Sequence, residues 1–388
     1  ARRLQHKQEA MQSARNAKLS ERGASAGPSP ILWGRHAGSV NAIVALQDGT
    51  TVATAGSDRL IRLWRSGVCL AVLAGHNDKV LCLLPFGEGR LLSGSADGTV
   101  KLWKVDPSQP GRGSCVLTFS GHVGAVHDLA RLSDVYFVSG GDDGILRIWS
   151  LRAPRDPCLV VPPHSIAPGT IRSVACLSAS RSRWIVASSE DTTIHFWSVE
   201  ATQTQRHGGS RATKRESTDS QAGAMSPPPP KDASHESLPS KTTKGWHDAV
   251  ASARLLRSLP DAHGRQADVQ CLIALSDGTA LSAGHDATVK RWDRRRTDCI
   301  AHASAGTKFE QVWSATTFKN GCWVAIASGT TPSVSIRGTD TLEELLSLDF
   351  SMHTDQRIMC VASLSDNRLV VGCQDGQLLT VAVDAYVV

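Results

Sequence analysis

Eleven-residue segments of one pattern return down this chain at intervals of about 40 to 50 residues, the mark of stacked supersecondary units rather than of one irregular fold. Residues 93–103 read SGSADGTVKLW. The pattern recurs as TAGSDRLIRLW ending at Trp64, SGGDDGILRIW at Trp149, ASSEDTTIHFW at Trp197 and SAGHDATVKRW at Trp292. Two copies are degenerate: ASGTTPSVSIR, ending at Arg337, lacks both Asp and Trp, and VGCQDGQLLTV, ending at Val381, keeps only Asp375. Successive ends lie 39, 46, 48, 95, 45 and 44 residues apart. The long interval is one ordinary repeat plus about 50 added residues, so seven units result. Within a unit, Val100 and Leu102 alternate with Lys101 and Trp103, the period of a strand. Asp97-Gly98 supplies the tight turn before it.

With Gly75-His76 and Gly121-His122 added, these segments resemble the WD-repeat family over residues 31–388 apart from the long insertion. The resemblance implies an all-β, seven-bladed WD-repeat β-propeller, each blade a four-stranded antiparallel sheet. GQLLTVAV near the C-terminus matches a third strand with no fourth behind it, so Ile31, Leu32 and Trp33 are expected to close the ring as the outer strand of blade 7. Otherwise that blade would keep an unpaired edge. The family's structural hydrogen-bond tetrad maps onto His36, Thr54, Asp58 and Trp64; onto His76, Ser93, Asp97 and Trp103; and onto His122, Ser139, Asp143 and Trp149. Such sets look like catalytic Ser/His/Asp groups, but a nucleophile is needed once and these recur, which favours a structural role. Blade 4 has Ala187 at the hydroxyl position and blade 6 lacks Asp and Trp, so both are expected to be looser or held differently.

Charge divides the chain. The net +6 resides in residues 1–30, with six basic against two acidic side chains, and in residues 200–245, with seven against five. Residues 1–30 read as a basic extension, partly helical or disordered. Residues 31–199 hold the closing strand and blades 1–4, and residues 246–388 complete blade 4 and add blades 5–7. Between them, residues 200–245 are poor in large apolar side chains and read as a disordered Ser/Pro-rich insert between the third and fourth strands of blade 4. Ser226-Pro227 and the run Pro227–Pro230 offer a phosphate acceptor and a polyproline ligand, with a plain solvated linker as the alternative.

No phosphate loop, nucleophile elbow or zinc helix occurs in the sequence, and Gly87-Glu88-Gly89 lacks the third glycine of a dinucleotide fingerprint. The expectation is no enzyme, no cofactor and no metal. No apolar run reaches the roughly 18 residues that span a bilayer, so no membrane insertion is expected. The ten cysteines form no CxxC pair. They read as small buried hydrophobes in a reducing compartment, cytoplasmic or nuclear.

A ring of fixed strands leaves binding to its loops. By resemblance, the residue before each turn Asp lies on one face near the axis: Ser57, Ala96, Asp142, Glu190, His285 and Gln374. This mildly acidic set suits a peptide with a basic or polar anchor. On the opposite edge Lys290, Arg291, Arg294, Arg295 and Arg296 surround Trp292-Asp293, and Trp292 to Arg295 resemble the WDxR box through which some family members join cullin ubiquitin ligases. Three readings follow: a non-catalytic scaffold for protein–protein interactions within a larger assembly, a substrate receptor of a cullin-type ubiquitin ligase, and a ribonucleoprotein or ribosome-biogenesis component that binds RNA through the basic tail.

Overall fold

The computed structural model describes residues 30–106, 113–155, 157, 159–161, 169–179, 182–201, 250–264, 267–296, 298–304, 311–328 and 331–383. Within them the chain forms seven four-stranded antiparallel sheets and no helix. Six sheets are built from consecutive strands, over residues 40–73, 80–120, 126–161, 171–259, 269–304 and 312–349. The seventh joins Ile358–Ser363, Arg368–Cys373 and Gln377–Ala382 to Ile31–Arg35 from the other end of the chain. Ile31–Arg35 runs antiparallel to Gln377–Ala382, with Ile31 opposite Thr380 and Arg35 opposite Gln377.

The first strand of each sheet touches the first strand of the next, and that of blade 7 (Ile358–Ser363) touches that of blade 1 (Val40–Ala45), so the seven inner strands close a ring. No single core lies inside. Instead seven apolar clusters each join two neighbouring blades, one per seam. A twisted four-stranded sheet exposes two apolar faces, and only a blade on either side removes both from water. The seam between blades 2 and 3 shows the packing. Phe119 meets Phe137 and Trp149 edge-on with ring centres 5.0 and 5.6 Å apart, the geometry aromatic quadrupoles favour. At the seam of blades 7 and 1, Trp33 sits at an irregularity of the outer strand and is buried among Val40, Trp64 and Val370.

The inner strands share one irregularity. Every inner strand carries one extra residue near its start, a bulge against the second strand: Asn41, Leu81, His127, Arg172, Gln270, Trp313 and Met359. The third and fourth strands of blade 4, Ile194–Ala201 and Val250–Leu259, pair with each other and flank residues 202–249. Glu200 and Ala201, expected to begin the disordered insert, belong instead to the third strand, where they pair with Ser252 and Val250; the rest of the proposed insert, with its Ser-Pro and polyproline features, lies outside the described part. So do residues 1–29, read as a basic extension, partly helical or disordered.

Candidate functional site

Where the repeat residues go decides what is left to bind. In blade 1 the Trp64 indole N–H donates to Thr54 Oγ1 at 2.8 Å, Thr54 Oγ1 bonds His36 Nε2 at 2.7 Å, and His36 Nδ1 meets Asp58 at 3.0 Å. Blade 2 repeats this through Trp103, Ser93, His76 and Asp97 at 2.8, 2.7 and 2.9 Å. Blade 3 does so through Trp149, Ser139, His122 and Asp143 at 2.8, 2.7 and 3.0 Å. A fourth set, missed in the sequence, holds blade 5: Trp292 to Ser282 at 2.7 Å, Ser282 to His263 at 2.6 Å and His263 to Asp286 at 2.8 Å. Burial pushes the Asp58 carboxyl up, yet the hydrogen bonds from His36, Arg62 and the Ala37 N–H outweigh it and hold it at about 2. Burial also keeps His36 and His76 below the ordinary imidazole value. The Ser and Thr hydroxyls of all four sets are fully buried against an indole. Each hydroxyl is engaged at once by donor and acceptor, an arrangement for satisfying buried polar groups rather than for attack on a substrate.

The three remaining blades solve the same problem otherwise. Blade 4 places Ala187, buried, where the hydroxyl would stand. In blade 6 the buried Arg337 replaces the indole and bonds Ser335 Oγ at 3.0 Å, the Leu342 carbonyl at 2.9 Å and Glu344 at 2.8 Å. In blade 7, Val371 and Val381 fill both positions with apolar side chains, and Gln377 caps the turn Asp375 at 2.6 Å. Blade 6 is thus held by a different polar knot.

The six candidate partner residues are structurally equivalent. The backbone N–H groups of Ser57, Ala96, Asp142, Glu190, His285 and Gln374 donate to the carbonyls of Ser39, Lys79, Ala125, Thr170, Asp268 and Arg357, each the residue just before its blade's inner strand. They form one rim, on the tetrad side of the ring. Asp142, Glu190 and Gln374 are exposed and the other three are half-buried.

Sequence reasoning missed the second half of this rim, the bulge residues. His127 bonds Asp142 at 2.7 Å, Arg172 pairs with Glu190 at 3.2 Å and Ser57 Oγ donates to Asn41 Oδ1 at 3.3 Å, each within one blade. The His285 ring lies against Trp313 of the next blade, centres 5.3 Å apart and tilted by 61°. Burial raises the Asp142 carboxyl, but hydrogen bonds from His127 and the Ala125 N–H bring it below the usual range. Around blades 3 and 4 the rim is charged, whereas blade 5 presents His285 and Gln270. Around blades 7, 1 and 2 it is neutral, formed by Met359, Gln374, Asn41, Ser57, Leu81 and Ala96.

The opposite edge is less basic than its sequence implies. Arg291 is tied to Asp277 and, at 2.9 Å, to Asp340 of the next blade. Lys290 leaves the cluster and donates to the Ala262 carbonyl at 2.7 Å. Arg294 lies over Trp184 of blade 4, 5.3 Å from the ring centre, while Arg295 and Arg296 are exposed. The nine described cysteines are free thiols, and Cys69, Cys115 and Cys322 are exposed, contrary to the expectation that all are buried. Among the described residues no group of three or more His, Cys, Asp or Glu is placed to hold a metal, and no helix is long and apolar enough to cross a membrane.

A family model described as "WD domain, G-beta repeat" matches residues 31–65, 67–104, 113–150, 157–198 and 253–293, together half of the chain. Similar curated proteins include an uncharacterized WD repeat-containing protein of Schizosaccharomyces pombe, 44% identical over 64 residues, which are 16% of this chain and 17% of that protein. The F-box/WD repeat-containing protein sel-10 of Caenorhabditis elegans is 33% identical over 60 residues, 15% of this chain and 10% of its own length. The ribosome biogenesis protein YTM1 of Candida glabrata is 32% identical over 92 residues, 18% of this chain and 20% of its own. The chain thus spans between a tenth and a fifth of the length of these relatives.

Proposed function

Since this chain belongs to the WD40 repeat family, we propose that it is a non-catalytic scaffold whose tetrad-side rim binds other proteins within a larger assembly. One observation carries the reading: six equivalent backbone positions present Ser57, Ala96, Asp142, Glu190, His285 and Gln374 on an otherwise regular frame. Variation at fixed positions is what a recognition surface requires, because loops and rims change while the strands that hold them do not. The His–Asp sets that would suggest catalysis are buried in the frame and repeat in four blades. Nine free thiols fit a cytoplasmic or nuclear setting.

A second reading, the ubiquitin-ligase substrate receptor, is favoured by Arg295. It stands exposed at the end of Trp292-Asp293-Arg294-Arg295, with its own N–H fixed on Asp293 at 2.9 Å. The ribonucleoprotein reading depends on the basic tail, residues 1–30, of which 1–29 lie outside the described part.

Affinity capture of the tagged full chain with mass spectrometry tests both readings. Glu190→Lys combined with Asp142→Lys is expected to reduce captured partners at least tenfold, while Arg295→Ala changes nothing. Loss of a cullin adaptor on Arg295→Ala, with the rim variant unaffected, would replace the first reading by the second. An RNA-dependent set of ribosomal proteins would replace both.

A further inference from the structure

The bulge in each inner strand disturbs the ladder there, and the backbone groups beside it face the next blade. The residue following the bulge meets them, forming a girdle around the axis through Ala42, Cys82, Asp128, Ser173, Cys271, Ser314 and Cys360. The Cys82 thiol donates to the Val126 carbonyl at 3.8 Å and the Cys360 thiol to Val40 at 3.3 Å. Ser314 Oγ accepts the Val361 N–H at 3.3 Å, and the Ala315 amide faces Cys271. Ala42 cannot bond, and its neighbour Asn41 donates to the Val80 carbonyl at 2.9 Å instead.

Asp128 is the one carboxyl in this girdle. It accepts the Ser173 hydroxyl at 2.7 Å and the Val174 N–H at 2.8 Å, both from blade 4, and the Leu129 N–H at 2.8 Å from its own strand. Ser173 Oγ in turn accepts the Leu272 N–H of blade 5 at 3.0 Å. Three blades therefore meet at one carboxylate. Among the described residues Asp128 forms no ion pair. The titratable groups around it are the Cys82, Cys176 and Cys271 thiols from the inner strands of blades 2, 4 and 5, and His127 beside it, which is engaged by Asp142.

We propose that Asp128 is a proton-responsive link in the girdle: ionised, it loosens the seams of blades 3, 4 and 5 beneath Asp142, Glu190 and His285, and protonated, it closes them. A half-buried carboxylate without a counter-charge gains further hydration whenever the seam opens, so opening is favoured by its ionisation. Burial pushes the Asp128 carboxyl above the usual range despite its three donors, in keeping with that direction. The sign follows from linkage. A raised carboxyl binds its proton better in the closed ring than in the opened one, so protection is greatest at low pH and falls as pH rises through its titration.

Hydrogen exchange of the full chain, corrected for intrinsic rates between pH 4 and 8, tests this. Residues 171–179 and 269–274 are expected to lose protection relative to residues 358–363, by up to about tenfold per pH unit across the titration. Asp128→Asn, which keeps the shape and removes the charge, should abolish the difference. The same slope in Asp128→Asn, or equal loosening of all three segments in the unaltered chain, would overturn the proposal. Should Asp128→Asn not fold, Ser173→Ala decides: loss of the donating hydroxyl moves the midpoint to higher pH, and an unmoved midpoint refutes the link.

Discussion

At the scale of single residues, the hydroxyl in each tetrad is the member with most at stake, because it serves two buried partners. Ser93→Ala would leave the Trp103 N–H and one His76 nitrogen without partners inside the blade. The expected loss is about 1–3 kcal/mol, read from the midpoint of denaturant unfolding, and a change under about 0.5 kcal/mol would contradict it. Much of this was legible in the sequence, since Asp and Trp recur at fixed offsets and a Gly-His pair supplies the histidine of two of the four sets. His263 was not. It precedes its glycine instead of following one, and lies 23 residues before Asp286 where His76 and His122 lie 21 before their aspartates. Nor could Arg337 be read as a substitute for tryptophan, because its fitness depends on Ser335, Leu342 and Glu344 converging in space.

At the scale of elements, glycines record where one blade approaches another. A Cβ on Gly34 of the closing strand would stand 2.5 Å from the Trp64 ring, and Gly75 and Gly121 hold the same relation to Trp103 and Trp149 at 3.2 and 3.3 Å. The Gly of each Gly-His pair thus makes room for the indole that the pair helps to hold. Gly34→Ala is expected to cost about 1–3 kcal/mol through overpacking at the seam of blades 7 and 1. Thermal melting should show a lower Tm, and an unchanged Tm would mean that the strand shifts without penalty. Strand identity was readable from alternation, whereas the bulges were not. A bulge is a slip in pairing register, set by which residues of two strands face each other, and one strand's pattern does not contain it. The rim partners His127, Arg172 and Trp313 stayed hidden for that reason.

At the scale of the whole molecule, the tetrads set the response to acid. Asp58, Asp97 and Asp143 are held at about 2, and Asp286 is lowered as well, by hydrogen bonds that outweigh burial. Their stabilisation is complete above the ordinary carboxylate range and is lost as pH falls toward about 2. Buried His36 and His76 act in the same direction from higher pH, because the unfolded chain takes up their protons first, below about 6.5. Calorimetry at pH 7, 5 and 3 should therefore give a Tm that declines throughout and falls most steeply below about 4. A Tm that holds or rises on acidification would show that these groups do not govern the ring, since Asp128 alone opposes them.

The bulge at the head of every inner strand has a wider meaning for how such a protein changes over time. It lifts one side chain per blade out of the pleat, where it completes no tetrad, although Met359 packs at the seam of blades 7 and 1 and Asn41 bonds the Val80 carbonyl of blade 2. On the proposed reading, substitutions at His127, Arg172 and Gln270 would change what the rim recognises while the strands that carry them stay paired.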